Sequence, residues 1–303
     1  MDRGRTRHPR GAKPGTHRVV IALLAAVLGC GAFAADAPAA PVAAGLPTAL
    51  SDQWWKADES GWGAAVLQQA DVLFVCFFVY GSDGRPTWFV AVADAQAGAP
   101  AGHVVYSGKL YVTQGPYFAG PFDPAAAVER EAGTFSFDAT AIDAAVMRYT
   151  VDGVAVEKPV TRQTWVYADL TGDYYGGFAW EQACGPLADQ KSHHELLGTL
   201  QVTHTPARAV TVALKVTRHL VDGVEFAIPA NATASIDGSY TQAGHLGEVR
   251  GSFGYALGAA AAAAPAVAFE IKPTANGITG RFNAASNAAD RCSYEGQFGA
   301  VLR

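Results

Sequence analysis

Asp58 and Glu59 are the residues of this chain that most invite a catalytic reading, as adjacent carboxylates within reach of Trp54, Trp55 and Trp62. Glycoside hydrolysis needs two carboxyl groups a set distance apart across the sugar, and chain neighbours rarely meet that geometry. Asp123, Glu129 and Glu131 are further acids with nothing to single one out. His193-His194-Glu195-Leu196-Leu197-Gly198 approaches the zinc-protease motif but lacks a second histidine four residues after the first. On a strand, adjacent histidines point to opposite faces and cannot chelate together. His193, His194, His204, His219 and His245 are therefore read as solvated loop residues rather than metal ligands. Gly61-Trp62-Gly63 lacks both the third glycine and the strand-to-helix setting of a phosphate loop, and no Gly-x-Ser-x-Gly elbow occurs. The expectation is a protein with no catalytic residue, metal or cofactor; the rival is a secreted hydrolase using Asp/Glu chemistry.

Binding is better motivated. Trp54, Trp55, Trp62 and Trp88, with Tyr80 nearby, are more rings than one core needs, and Glu59, Asp83 and Arg85 stand among them. Exposed rings flanked by polar groups stack on sugar faces or grip a peptide, so these eight residues form the expected binding surface for a glycan or peptide. A competing use is structural, with the tryptophans closing the end of a barrel or filling an interface between domains. Arg85 and Arg162 are expected to pair with carboxylates.

The elements that must position these residues are strands. Runs at 62–69, 72–80, 87–93, 103–113, 127–138, 145–151 and 154–164 alternate with turn signals, among them Asp83-Gly84 before Pro86 and Asp152-Gly153. Trp54 and Trp55 fall in a loop-like approach to the first run. Seven short strands without a convincing helix indicate a sandwich or barrel. Asp123-Pro124 suits the cap and first position of one short helix. Val72 to Tyr80 is apolar on both faces, which predicts that both are covered, one by the core and one by a second sheet, domain or partner.

Beyond Tyr167 the texture changes. Gly172-Asp173-Tyr174, Gly238-Ser239-Tyr240, Gly251-Ser252-Phe253, Gly280-Arg281-Phe282 and Gly296-Gln297-Phe298 each place a glycine and a ring on the same face of a strand. Glycine leaves room for a neighbour's ring, a packing device of small barrels. Ala259 to Ala264 with Pro265 reads as an external loop. The expected fold is all-β, with two antiparallel sandwich or small barrel domains in tandem over 50–166 and 167–303. An outer-membrane barrel is a rival, weakened because such barrels keep a polar interior.

Six basic residues lead into the apolar run Val19 to Leu28, and Ala32-Phe33-Ala34 gives a signal-peptidase pattern, so cleavage is expected after Ala34. Lipid attachment at Cys30 is the alternative, and residues 35–49 read as a disordered Ala/Pro spacer. Removing residues 1–34 takes six of the 22 Lys and Arg and one of the 27 Asp and Glu, leaving a net charge of −10. That balance, without a basic patch, argues against nucleic acid and anionic membrane as partners. No later stretch reaches the length of a spanning helix. In a periplasmic or secreted protein Cys184 and Cys292 are expected to bridge, while Cys76, among phenylalanines, reads as a small core residue.

With Trp54, Trp55, Glu59, Ser60, Gly61 and Gly63 followed by Phe78, Tyr80, Gly84, Pro86 and Trp88, the first half resembles an uncharacterised family of secreted Gram-negative bacterial proteins. Ser107-Gly108-Lys109-Leu110-Tyr111, Gly115-Pro116, Phe122-Asp123-Pro124-Ala125 and Thr161-Arg162-Gln163 extend the likeness over about 50–165, while Phe77 stands where the pattern usually has tryptophan. Gly296-Gln297-Phe298-Gly299 resembles the glycine/aromatic domain that often follows. The resemblance implies architecture and export, and no chemistry.

Overall fold

The computed structural model describes residues 45–185, 191–285 and 292–303. The leader over 1–34, with the Cys30 alternative, and the spacer up to residue 44 lie outside the described residues. The chain is all-β and builds two closed eight-stranded antiparallel barrels.

The first barrel runs in chain order through β1 (Asp52–Trp55), β2 (Gly63–Gln69), β3 (Val72–Tyr80), β4 (Pro86–Ala95), β5 (Val104–Gln114), β6 (Val128–Ala141), β7 (Ala144–Val151) and β8 (Val154–Arg162). β1 is the strand that the loop-like reading of Trp54 and Trp55 missed. It pairs with β2 on one side and with β8 on the other, Trp54 opposite Arg162, and so closes the sheet. Closure removes the free edges that an open sheet would leave for aggregation. Eight strands enclose just enough space for side chains to fill, here Trp54, Leu73, Val75, Phe77, Phe135, Phe137 and Met147. A 3-10 turn at Pro124–Ala126 is capped by Asp123, whose carboxylate accepts from the Ala125 amide.

In the second barrel, β9 (Gly172–Cys184), β10 (Lys191–His204), β11 (Ala209–Val221), β13 (Thr233–Ala243), β14 (Leu246–Leu257), β15 (Ala260–Thr274), β16 (Gly277–Ala285) and β17 (Cys292–Leu302) close in that order, and short β12 (Val224–Phe226) folds back on β11. The glycine/aromatic signature works as a reciprocal fit. Gly280 lies opposite Phe298 and Gly296 opposite Phe282, and a Cβ on Gly280 would collide with the Phe298 ring. All five signature rings are buried inside the barrel. Cys184 and Cys292 form the disulfide and stand opposite each other on β9 and β17. The alanine run 260–265 corrects the expected external loop. It is the first half of β15 and pairs with Ser252 to Leu257, its small side chains leaving space beside Phe253 and Tyr255.

Polar contacts tie the barrels together. Asp52 accepts from the backbone N–H and Nδ1 of His245, at 3.0 and 2.8 Å, and from Arg162 at 3.2 Å. Burial works against the Asp52 charge, but the His245 hydrogen bonds outweigh it and the carboxyl titrates below its usual range. Residues Gly45 to Ala49, read as part of a disordered spacer, have a fixed place: Glu270 accepts from both the Thr48 and Ala49 amides. Among the described residues no helix is long and apolar enough to cross a membrane.

Candidate functional site

In an up-and-down barrel, the connections after odd-numbered strands share one end. For the first barrel these are 56–62, 81–85, 115–127 and the Asp152-Gly153 turn, at the end away from Arg162 and the second barrel. Topology therefore gathers Trp55, Glu59, Trp62, Tyr80, Asp83, Arg85 and Trp88 at one end of one barrel.

Trp54 does not belong with them, although it was read as part of the binding surface. It points inward and is 0 % exposed, its indole donating to the Leu50 carbonyl at 3.0 Å, its ring edge-on to Phe137 and the Arg162 guanidinium 4.6 Å above its face. Alternation along a strand decides this, since Trp54 and Trp55 must face opposite sides and Trp54 takes the inside. Trp55 and Trp62 are half-buried.

Glu59 is committed internally. It accepts from the Trp62 indole at 3.1 Å and from Lys158 at 2.6 Å, and pairs with Lys56 at 2.9 Å. The Lys158 and Lys56 ammonium groups hold its carboxyl down at about 2, from an ordinary 4.5. Asp58, also paired with Lys56, titrates below its usual range. A carboxylate pinned by two cations is a poor proton donor at neutral pH, so this pair suits architecture better than acid catalysis.

On the outer wall the pattern is apolar. Val72, Phe74, Phe78 and Tyr80 of β3 face solvent, beside Leu67 of β2 and Trp88 and Val92 of β4. Register sets them in rows across the strands: Phe78 opposite Trp88, Phe74 between Leu67 and Val92. Of the two faces of β3 expected to be covered, the inward row Leu73, Val75, Phe77 and Val79 meets the core, while no second sheet or domain among the described residues covers the outward row. Cys76 is corrected: it sits half-buried in the outward row between Phe74 and Phe78. With Phe78 52 % and Trp88 50 % exposed, the seven open side chains amount to on the order of 600 Å², since an aromatic side chain carries about 150–250 Å².

Sequence reasoning passed over a second group. Tyr117, Phe118 and Phe122 project from the 115–127 connection, Phe118 being 91 % exposed. Three rings among Gly115, Pro116, Gly120, Pro121 and Pro124 cannot be buried by a strand, and that was the available signal. Few polar groups here are free for a ligand. Tyr80 donates to the Gly61 carbonyl at 3.0 Å, and Asp83 accepts from the Arg85 amide at 3.0 Å, with the Arg85 guanidinium 3.7 Å away.

The histidines fall in separate settings, apart from His194 and His219, whose rings stack at 6.2 Å. His193 is exposed and pairs with Glu195, and His245 serves the inter-barrel contact. His194 and His219 point into the second barrel rather than into solvent, which corrects their reading as loop residues. Among the described residues, no group of three or more His, Cys, Asp or Glu could hold a metal ion. Comparison with known proteins found no matching family model, no matching curated protein and no matching solved structure.

Proposed function

We propose that this chain is an exported, non-catalytic binding module whose docking surface is the distal end of the first barrel, with the adjoining outer face of β2, β3 and β4. Its partner is an apolar surface of another polypeptide. The observation that carries this reading is the continuous solvent-facing row of Leu67, Phe74, Phe78, Tyr80, Trp88 and Val92. A patch of roughly 600 Å² stands at the upper end of what a monomer exposes and near the ~800 Å² per partner of a stable interface.

Chemistry favours a polypeptide over a glycan. Sugar recognition needs rings accompanied by polar groups free to bond hydroxyls. In this surface the rings are accompanied by Phe, Val and Leu, while Glu59, Asp83 and Tyr80 already have partners. Large aromatic anchors with a polar rim match the cores of protein interfaces. The leader pattern and the Cys184–Cys292 bridge support a periplasmic or secreted setting.

The test is a random-peptide display screen beside a glycan panel, read against the wild type and a Phe78→Ser/Trp88→Ser variant. Enrichment of peptides bearing bulky apolar residues, bound at least about tenfold more weakly by the variant, supports the reading. Saturable binding of a sugar that the variant loses equally would replace the polypeptide partner with a glycan.

A further inference from the structure

The mouth of the second barrel, at the end where the chain enters it, holds a pocket of about 430 Å³. Barrel mouths are common seats for small ligands, and clefts of this volume take them. Two inward side chains form the floor: His204, at the end of β10, and Tyr240 of β13 meet edge to face at 4.9 Å. Tyr167 and Asp169, on the chain leading into β9, supply one wall. Pro206 and Arg208, on the turn between β10 and β11, supply another.

Both walls are held at the backbone. Gln242 clamps the peptide groups on either side of Tyr167, its Nε2 donating to the Val166 carbonyl at 2.7 Å and its Oε1 accepting from the Ala168 amide at 2.8 Å. The chain is thus bonded much as a neighbouring strand would bond it, yet Tyr167 stays 70 % exposed. Arg208 has a φ of 64°, the left-handed region that glycine and asparagine take readily and arginine does not. Its amide donates to the Thr205 carbonyl at 2.8 Å, and its carbonyl accepts from the Tyr240 amide at 2.7 Å. Walls fixed in this way leave a ligand less ordering entropy to offset.

The lining selects the ligand. Tyr167, His204, Tyr240 and Pro206 present rings, while Arg208 and Asp169 are solvent-facing charges of opposite sign. Among the described residues no carboxylate pairs with the Arg208 guanidinium, although Asp169 lines the same pocket. Asp169 accepts instead from the Thr171 amide at 2.9 Å, which holds its carboxyl below the usual range, and lies 4.0 Å from His204 Nδ1. A simple anion would meet Asp169 as well as Arg208, and a simple cation would meet Arg208 as well as Asp169. A molecule with both charges and a ring satisfies the whole lining. We infer that the mouth binds an aromatic α-amino acid, its carboxylate on Arg208, its ammonium on Asp169 and its ring against Tyr167 and Pro206.

Calorimetric titration of the full exported chain with L-phenylalanine and L-tryptophan tests this. At least one is expected to bind saturably. 3-Phenylpropionate, which lacks the ammonium, and phenethylamine, which lacks the carboxylate, should bind at least about tenfold more weakly, the effect of one lost charged hydrogen bond. Arg208→Asn and Asp169→Asn should each weaken amino-acid binding by a similar factor. Both positions are exposed, and asparagine suits the left-handed turn at 208 and keeps an acceptor for the Thr171 amide at 169. Asp169→Asn should also erase the preference for phenylalanine over 3-phenylpropionate, which a folding defect would not do. Phe78→Ser/Trp88→Ser should bind the amino acid as the wild type does, so this test and that of the apolar wall fail separately. The inference is overturned if neither amino acid binds, if 3-phenylpropionate or phenethylamine binds as tightly, or if either asparagine variant binds like the wild type.

Discussion

Trp54 and Trp88 put the same side chain to opposite uses. One is sealed against Phe137 and Arg162 and the other stands half in water beside Phe78. Removing a buried indole leaves a cavity, so Trp54→Ala should lower unfolding stability by about 3–5 kcal/mol. Trp88→Ala should change it by no more than about 0.5 kcal/mol, as surface substitutions do. Urea denaturation of the two variants checks both. Glu59 makes a prediction in pH. Its folded-state carboxyl titrates at about 2 and its ordinary value is 4.5, so its stabilisation is complete above 4.5 and is lost as pH falls through that window. Between those limits the stability of Glu59→Gln should fall less steeply with acid than that of the wild type, measured by denaturation at stepped pH. The residue types of this site were legible: four of the six tryptophans, Trp54, Trp55, Trp62 and Trp88, fall in the stretch that holds Tyr80 and Arg85 and invited the reading. Which indole turns inward was not, because that depends on the pairing of Trp54 with Arg162, more than a hundred residues away.

At the scale of elements, β3 shows what a local pattern conveys and what it omits. Its span, 72–80, follows from a β-branched and aromatic run between two turns. Its outward row did not reveal whether anything covers it, since Phe74 and Phe78 look the same in sequence either way. β1 was missed because four residues carry too little alternation, and its strand character comes from closing the barrel. The alanine run was misread because a low-complexity stretch lacks the bulky residues that mark strands, yet small residues are what fit against Phe253 and Tyr255. In the second barrel, glycine placement and the disulfide were both legible. Gly280→Val should lower stability by about 1–3 kcal/mol through collision with Phe298, read from the urea midpoint. Cys184→Ala/Cys292→Ala should lower it by about 2–5 kcal/mol, since the bridge spans 108 residues and restricts the unfolded chain. Reductant should then have no further effect on the variant while it lowers the wild type to the same level.

Over the whole molecule, the two barrels divide their polar and apolar resources differently. In the first, the apolar surplus lies outside, on β2 to β4 and in the 115–127 connection. In the second, the unmatched polar groups lie inside, around Trp180. A wall of Phe, Val and Leu facing water is costly to keep unless something covers it. An apolar polypeptide is the proposed cover. The most direct measurement is acrylamide quenching of Trp88, isolated as the difference between wild type and Trp88→Phe, with and without a saturating apolar peptide from the display screen. Trp88 is expected to be quenched freely in the isolated protein and to become shielded when the peptide binds. Full quenching of Trp88 in the peptide-saturated protein would contradict it.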